Sequence, residues 1–392
     1  MNNTKNCKLG RLVTLKRGYD LPHHARTPGQ YPIISSSGIT GTHKEPMVDG
    51  PGVVTGRYGT LGEVFYIPGK FWPLNTSLYV EDFKGNDPRF IAYYLRTVLS
   101  ANFNSAGAVP GVNRNVLHKL AVPHPPNDFK TQRKISAILT AYEDLIETNR
   151  RRIAHLEKIA EEIYCEWFVR LRFPGHQNTK IKKGVPEGWE RKRFGEFCML
   201  KRGYDLPVDL VEEGPYPVVA STSVKTFHKH YKAEPPVITT GRSGSLGDVL
   251  MTHTRAWPLN TALYVCKFFG NSPFLIFYTL KNMGLEKFDS GAGVPTLNRN
   301  HLNGIPMVIP ETNLQQRFDG IVEPIHKQAE NFRQQNINLT KTRDLLLLRL
   351  ISGKLSVADL DIQFPPSMRA GDEEAERKAL DSTSESGQVH RL

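Results

Sequence analysis

The feature that most constrains this chain is a duplication at a fixed offset. KRGYDLP at Lys16–Pro22 recurs letter for letter at Lys201–Pro207, and TGRYGTLGEV at Thr55–Val64 returns as TGRSGSLGDV at Thr240–Val249. WPLNTSLYV at Trp72–Val80 returns as WPLNTALYV at Trp257–Val265, and VPGVNRN at Val109–Asn115 as VPTLNRN at Val294–Asn300. Every pair is 185 positions apart, so Lys8–Pro126 and Arg193–Glu311 align without a gap. Solenoid repeats run about 20–50 residues, whereas each copy here has 119, the size of a small domain. A module has been duplicated, with something else between the copies.

That something else is helical. Asp128–Arg172 contains no Gly or Pro. Ile135, Ile138, Tyr142, Leu145, Leu156, Ile159 and Ile163 mark a narrow coiled-coil seam, interrupted by Asn149 and Arg152. A lone Asn on such a seam fixes register. After the second copy, Phe318, Ile321, Ile325, Phe332, Leu339 and Leu346 mark a comparable helix ending near Ser352-Gly353. Pro324 is expected to kink it or delay its start. Roughly 40 residues at 1.5 Å each span about 60 Å. Neither helix can bury its seam alone, and pairing as an antiparallel coiled coil is favoured over each folding back on its own module.

The expected organisation is a module at 1–127, a long helix at 128–172, a Gly-, Pro- and Lys-rich linker at 173–190 and a second module at 191–311. A second long helix follows at 312–355, then a polar, disordered tail at 356–392. Within the module PIISSS, VVTG, EVFYI and TSLYVEDF are short β-favouring runs cut by Gly and Pro. One helix is expected at Asp87–Leu99, with Pro88, and Pro273 in the second copy, in its first turn. The fold class is therefore α+β: two tandem, mixed, mostly β domains, each followed by a long helix.

Composition narrows the partners. A net charge of +12, from 51 Lys+Arg against 39 Asp+Glu, sets up a field that draws polyanions, nucleic acid first among them. The four cysteines (Cys7, Cys165, Cys198, Cys266) form no CxxC pair, which fits a reducing compartment and argues against a zinc ribbon. No run approaches the roughly 20 apolar residues of a membrane span, nor does the N-terminus read as a signal peptide. A cytoplasmic protein with no membrane partner is expected. GxxxxGK[ST], HExxH, GxSxG and the Asn/Asp-Pro-Pro-aromatic tetrapeptide of amino-methyltransferases are all absent. No catalytic residue and no metal ligand is therefore assigned.

The candidate DNA contacts repeat in both copies. Lys16, Arg17 and Tyr19, with Lys201, Arg202 and Tyr204, place cations beside an aromatic, as backbone contacts do; a solvated strand end over a packed Tyr fits equally. Arg57 and Arg242, set among closely spaced glycines, can fork onto a phosphate or a guanine edge, or be ordinary exposed arginines of a hairpin turn. Asn113 and Arg114, with Asn298 and Arg299, suit a phosphate-facing loop. Trp72 and Trp257 read as core, and Asn75 and Asn260 as turn-bonding residues more readily than base readers. The copies differ most between Ser36–Val48 and Ser221–Ala233. Ser36, Thr42, His43, Lys44, Lys225, His228 and Lys229 are accordingly the candidates for base preference.

TGRxGxLGxV with WPLNTxLYV, the PEGWE leading into the second module, and VPHPPNDFKTQRKISAIL leading into the first helix resemble the specificity (HsdS) subunits of type I restriction-modification systems. The resemblance covers about residues 8–355. It implies a non-catalytic subunit whose two modules each read half of a split duplex DNA target. Its helices are expected to form an antiparallel rod that docks two methyltransferase subunits, with restriction subunits joining the complex. S-adenosylmethionine would then be bound by the methyltransferase, ATP and Mg by the restriction subunit, and no cofactor by this chain. The two modules here are closer relatives than that family usually carries, which implies similar half-sites. A stand-alone two-module DNA-binding regulator is the alternative.

Overall fold

The computed structural model describes residues 6–57, 62–103, 112–221, 223–290 and 295–369. Parts of the first glycine motif (58–61), of the VPGVNRN motif (109–111, with 294 in the second copy) and of the tail (370–392) lie outside them.

In chain order the first module comprises β1 (Asn6–Lys8), β2 (Thr14–Arg17), β3 (Tyr31–Ser35), β4 (Gly38–His43), β5 (Gly52–Gly56), β6 (Val64–Ile67), β7 (Trp72–Pro73), β8 (Ser77–Asp82), α1 (Pro88–Phe103), α2 (Arg114–Lys119) and β9 (Ala121–Pro123). The long α3 (Phe129–Tyr164) follows, then a small hairpin of β10 (Ile181–Lys182) and β11 (Val185–Pro186). The second module has β12 (Glu190–Arg193), α4 (Phe194–Phe197), β13 (Met199–Arg202), β14 (Tyr216–Val219), β15 (Val224–His228), β16 (Val237–Gly241), β17 (Val249–Thr252), β18 (Trp257–Pro258), β19 (Ala262–Lys267), α5 (Pro273–Asn282), α6 (Arg299–Asn303) and β20 (Pro306–Ile309). It leads into the long α7 (Thr312–Ile351). Two compact units result: Met1–Arg150 with Gln334–Leu392, and Arg151–Arg333. Each long helix therefore contributes a segment to both units.

The units share one plan. In the first, an antiparallel sheet runs in the order β2-β8-β5-β6, and a second in the order β4-β3-β7 with β3 and β7 parallel. The second unit repeats this as β13-β19-β16-β17 and β15-β14-β18. The central strands β5 and β16 are buried at every residue, as GVVTG and VITTG require. α1 lies against β5 and β6 with Phe90, Ile91, Tyr94 and Leu95 fully buried.

The join between module and long helix is built twice from traded parts. Asp87 caps α1 by accepting from Phe90 N–H at 2.7 Å, and also accepts from the Ser136 hydroxyl of α3 at 2.7 Å. In the second unit Ser272 is the cap, accepting from Leu275 N–H at 3.0 Å, and it donates to Asp319 of α7. Carboxylate and hydroxyl have changed places, and the buried pair stays satisfied. Gln132 and Gln315 accept from the N–H of Asp87 and Ser272, each at 2.8 Å.

Within the first unit α3 and α7 run antiparallel. Ile135 and Leu139 share a core with Leu347, Leu350 and Ile351, Glu143 lies 3.6 Å from Arg343, and Asn149 donates to Asn336 at 3.0 Å. Asn149 is buried on the seam, and Asn336 in turn donates to the Ile146 carbonyl at 3.2 Å. Within the second unit Ala160 and Tyr164 meet Phe318 and Val322 in the same sense. The buried stripe departs from the expected seam: Leu145, Ile159 and Ile321 are 44%, 50% and 42% exposed. The long helices also face the module helices: Tyr93 of α1 donates to Glu143 of α3 at 2.8 Å, and Tyr164 of α3 to Thr279 of α5 at 3.3 Å.

Three further expectations are corrected. Pro324 does not delay the helix: it lies inside α7, which begins at Thr312, twelve residues before it. α3 ends in a π turn, Cys165–Val169, in which the Arg170 N–H reaches the Cys165 carbonyl at 2.8 Å. The tail expected to be disordered from 356 is packed through residue 369: Val357 and Met368 are buried, and Ile362 lies against the core of the first unit. Ser367 donates to Asp144 at 2.6 Å and the Arg133 guanidinium sits 4.9 Å from the Phe364 ring centroid. A few apolar residues without periodicity suffice to anchor a polar segment, and composition conceals them.

Candidate nucleic-acid interface

Register gathers the candidate residues at one end of each four-stranded sheet. In the first unit Arg17 pairs with Leu78 and Gly56 with Ser77, so the end of β2, the end of β5 and the start of β8 lie side by side. The backbone then knots the loops together. Asn75 N–H donates to the Tyr19 carbonyl at 3.0 Å, Arg57 N–H to the Thr76 carbonyl at 3.0 Å, and Val112 N–H to the Arg57 carbonyl at 2.8 Å. Lys16, Arg17, Tyr19, Arg57, Asn113 and Arg114, scattered over about a hundred positions, become neighbours. The second unit repeats the arrangement: Arg202 pairs with Leu263, Gly241 with Ala262, and Leu297 N–H donates to the Arg242 carbonyl at 2.8 Å. Lys201, Arg202, Tyr204, Arg242, Asn298 and Arg299 assemble in the same way.

The repeated glycines of KRGYDLP, Gly18 and Gly203, explain the close seam. A Cβ on Gly18 would stand 2.2 Å from the Leu74 carbonyl oxygen, and on Gly203 2.2 Å from that of Leu259. No side chain fits there, so the basic loop is pinned against the WPLN turn.

Individual roles now separate. Tyr19 and Tyr204 hydrogen-bond through their hydroxyls to Tyr79 (3.0 Å) and Tyr264 (3.1 Å), and their rings make T-shaped contacts with Trp72 and Trp257. Each Tyr is a half-buried platform under the loop. Asn75 and Asn260 donate to Asp20 and Asp205, which also pair with Arg17 (3.4 Å) and Arg202 (3.8 Å). Asn113 and Asn298 are helix caps, their side chains accepting from the N–H of Asn115 (2.9 Å) and Asn300 (3.0 Å). The NRN motif is thus a cap followed by a short helix, where phosphate contact alone is expected from its charge; Asn ahead of a helix is the usual signal of a cap. Arg114 and Arg299 stand in the first turn of those helices. Arg57 and Arg242 are half-buried, and the Arg242 guanidinium reaches the Asn260 carbonyl at 3.4 Å.

Two of the base-preference candidates are placed inside. His43 and His228 are 5% and 3% exposed. Their Nδ1 atoms accept from the N–H of Thr27 (3.0 Å) and Glu212 (3.1 Å), and their rings lie edge-on to Trp72 and Trp257. They brace the loops and offer no edge to a ligand. Ser36 is half-buried in the β3–β4 turn, whereas Thr42, Lys44, Lys225 and Lys229 are exposed. Lys44 pairs with Glu45 at 3.4 Å and Lys229 with Glu212 at 3.2 Å.

Sequence comparison missed how far the outer strands stand free. β4 and β15 are edge strands, and four consecutive residues of each, Ile39–Thr42 and Val224–Phe227, are exposed on both faces. Ile39 is 70% and Phe227 51% exposed. The β14–β15 turn is tied to the glycine loop, since Ser221 donates to the Ser243 carbonyl at 3.1 Å and the Thr261 carbonyl at 2.9 Å. The free strand is thereby continuous with the basic loop cluster.

Cations, an anchored glycine loop and a free two-faced strand form a surface suited to a polyanion with readable edges. Residues 1–158 match the family described as "Type I restriction modification DNA specificity domain". The chain is thus similar, in its first 158 residues, to type I DNA specificity domains. Along its length it is 23% identical over 303 residues to the type I restriction enzyme MjaIX specificity subunit of Methanocaldococcus jannaschii, covering 69% of this chain and 70% of that one. Its fold is that of the type I restriction-modification S subunit from M. genitalium, at 18% identity and a TM-score of 0.57, over 90% of this chain and 97% of the other. The resemblance to type I specificity subunits stands on sequence and fold together. Among the described residues no cluster of His, Cys, Asp and Glu could hold a metal ion, and no helix is long and apolar enough to cross a membrane.

Proposed function

We propose that the chain is the DNA-reading subunit of a type I restriction-modification complex, each module reading one half of a split duplex target. The observation that carries this reading is the basic loop cluster with its free outer strand, built twice at a 185-residue offset, in a chain whose first 158 residues match a DNA specificity domain. Arg17, Arg114 and their counterparts Arg202 and Arg299, with Lys201, hold the phosphate backbone, and Arg57 and Arg242 fork onto phosphate or guanine. The outer strands β4 and β15 read base edges, as a two-stranded ribbon can in the major groove. His43 and His228 are excluded from that task by burial. The chain contributes binding alone; S-adenosylmethionine belongs to two methyltransferase subunits docked on the paired helices, and ATP with Mg to restriction subunits.

Replacing Val224–Phe227 (VKTF) by the first copy's ITGT should make the second half-site resemble the first and leave the first unchanged. The methylated motif of cells carrying the exchange reads this out. A folded, active complex with the original motif would move base reading elsewhere.

If α3 and α7 form one antiparallel rod, its length sets the gap between half-sites. A heptad inserted after Ile146 adds about 10 Å of helix and should widen the gap by up to about three base pairs at 3.4 Å each. Two inserted residues should instead rotate the seam and destabilise the rod. An active heptad variant with the original gap would show that the helices do not space the modules.

A further inference from the structure

We infer that the two modules grip the DNA backbone unequally at the KRGYDLP loop: Lys201 is a phosphate contact, whereas Lys16 is neutralised within its own module by Glu81. This rests on the DNA-binding reading above. The two lysines share sequence and register. Lys16 lies opposite Tyr79 and Lys201 opposite Tyr264, and in both sheets the register slips one step earlier, between Thr14 and Leu15 and between Met199 and Leu200. The slip leaves one residue of the partner strand outside the ladder, Glu81 in β8 and Cys266 in β19. There the duplication breaks.

Glu81 holds the Lys16 ammonium at 2.6 Å. Cys266 cannot do so, and the Lys201 ammonium donates instead to the Tyr204 hydroxyl at 3.2 Å, with no ion pair to it among the described residues. A second cation joins it: Lys232 sits 4.9 Å from the Trp257 ring centroid and 5.6 Å from that of Tyr204, where the first copy has the exposed Met47. A lysine bound to a carboxylate brings no net charge to a phosphate, and the carboxylate itself repels one. It therefore releases almost no counterion on binding. An ammonium held only by a neutral hydroxyl keeps its charge and its remaining donors, and contributes a full contact.

The full-length chain and a random-sequence duplex, titrated with salt, provide the test. Lys201→Ala should flatten the slope of log K against log salt by about one. Lys16→Ala should change it by less than half as much. In a Glu81→Gln background Lys16→Ala should cost the full contact, and Cys266→Glu should abolish the effect of Lys201→Ala. Equal losses from Lys16→Ala and Lys201→Ala in the unmodified background would overturn the inference and leave DNA binding intact. No binding by the unmodified chain would remove the DNA-reading function with it. Because Glu81 and Lys16 are both exposed, their arm decides the matter even if Cys266→Glu fails to fold.

Discussion

Phe318→Ala should destabilise the second unit by about 3–5 kcal/mol, a large part of the roughly 5–15 kcal/mol a domain has to lose. Phe318 is fully buried on α7 and meets Phe168 (5.0 Å between centroids), Trp167 (6.0 Å), Tyr278 (6.2 Å) and Tyr164 (6.4 Å). It thus ties α7 to the π turn of α3 and to α5 at once. The π turn matters here because the wider winding lets Trp167 and Phe168, adjacent in sequence, both face it. Removing the ring leaves a cavity that four rigid aromatics cannot collapse into. Urea denaturation followed by tryptophan fluorescence measures the loss directly, since Trp167 is a contact. A loss under about 1 kcal/mol would mean that the aromatic cluster is not what joins helix to module.

Acid should weaken the same unit through His326. Its ring nitrogen Nε2 lies 2.8 Å from the Tyr278 hydroxyl, among Phe274, Phe277 and His253. Burial, with the neighbouring His253 and the cations Arg333 and Lys281, pushes its pKa down to about 4. In the unfolded chain the same ring titrates near 6.5. Between those values the unfolded state binds a proton that the folded state refuses. Stability is therefore complete above about pH 6.5 and is lost as the pH falls towards 4, by about 3 kcal/mol in all. His326→Gln keeps an acceptor for Tyr278 and has nothing to titrate, so its urea midpoint should vary less with pH across that window. Parallel pH profiles for the two proteins would assign the acid sensitivity to other groups.

The histidines show where sequence reading stops. His43 and His228 head equivalent His-Lys pairs in the most divergent segment, and exposure there is the natural expectation. Their burial depends on Trp72 and Trp257, which arrive from 29 residues further along the chain in each copy. The tail fails for a related reason: Val357, Ile362 and Met368 carry no period, and only the surface they meet makes them core. Asn113 and Asn298 stand where a helix cap stands, yet the basic motif around them suits a phosphate contact just as well on sequence alone.

The sequence by itself determined the duplication, the two long helices and the module helices α1 and α5 with Pro88 and Pro273 in their first turns, since these rest on local periodicity and on identity at a fixed offset. Only the tertiary structure decided which residues share a surface. Lys16 and Glu81 are 65 positions apart, and nothing local marks them as partners. A β ladder with a slipped register brings them together, and the same slip in the second copy presents a cysteine. Near-identical motifs therefore carry different charge, because the field at a side chain is set by its neighbours across the sheet and not by those along the chain.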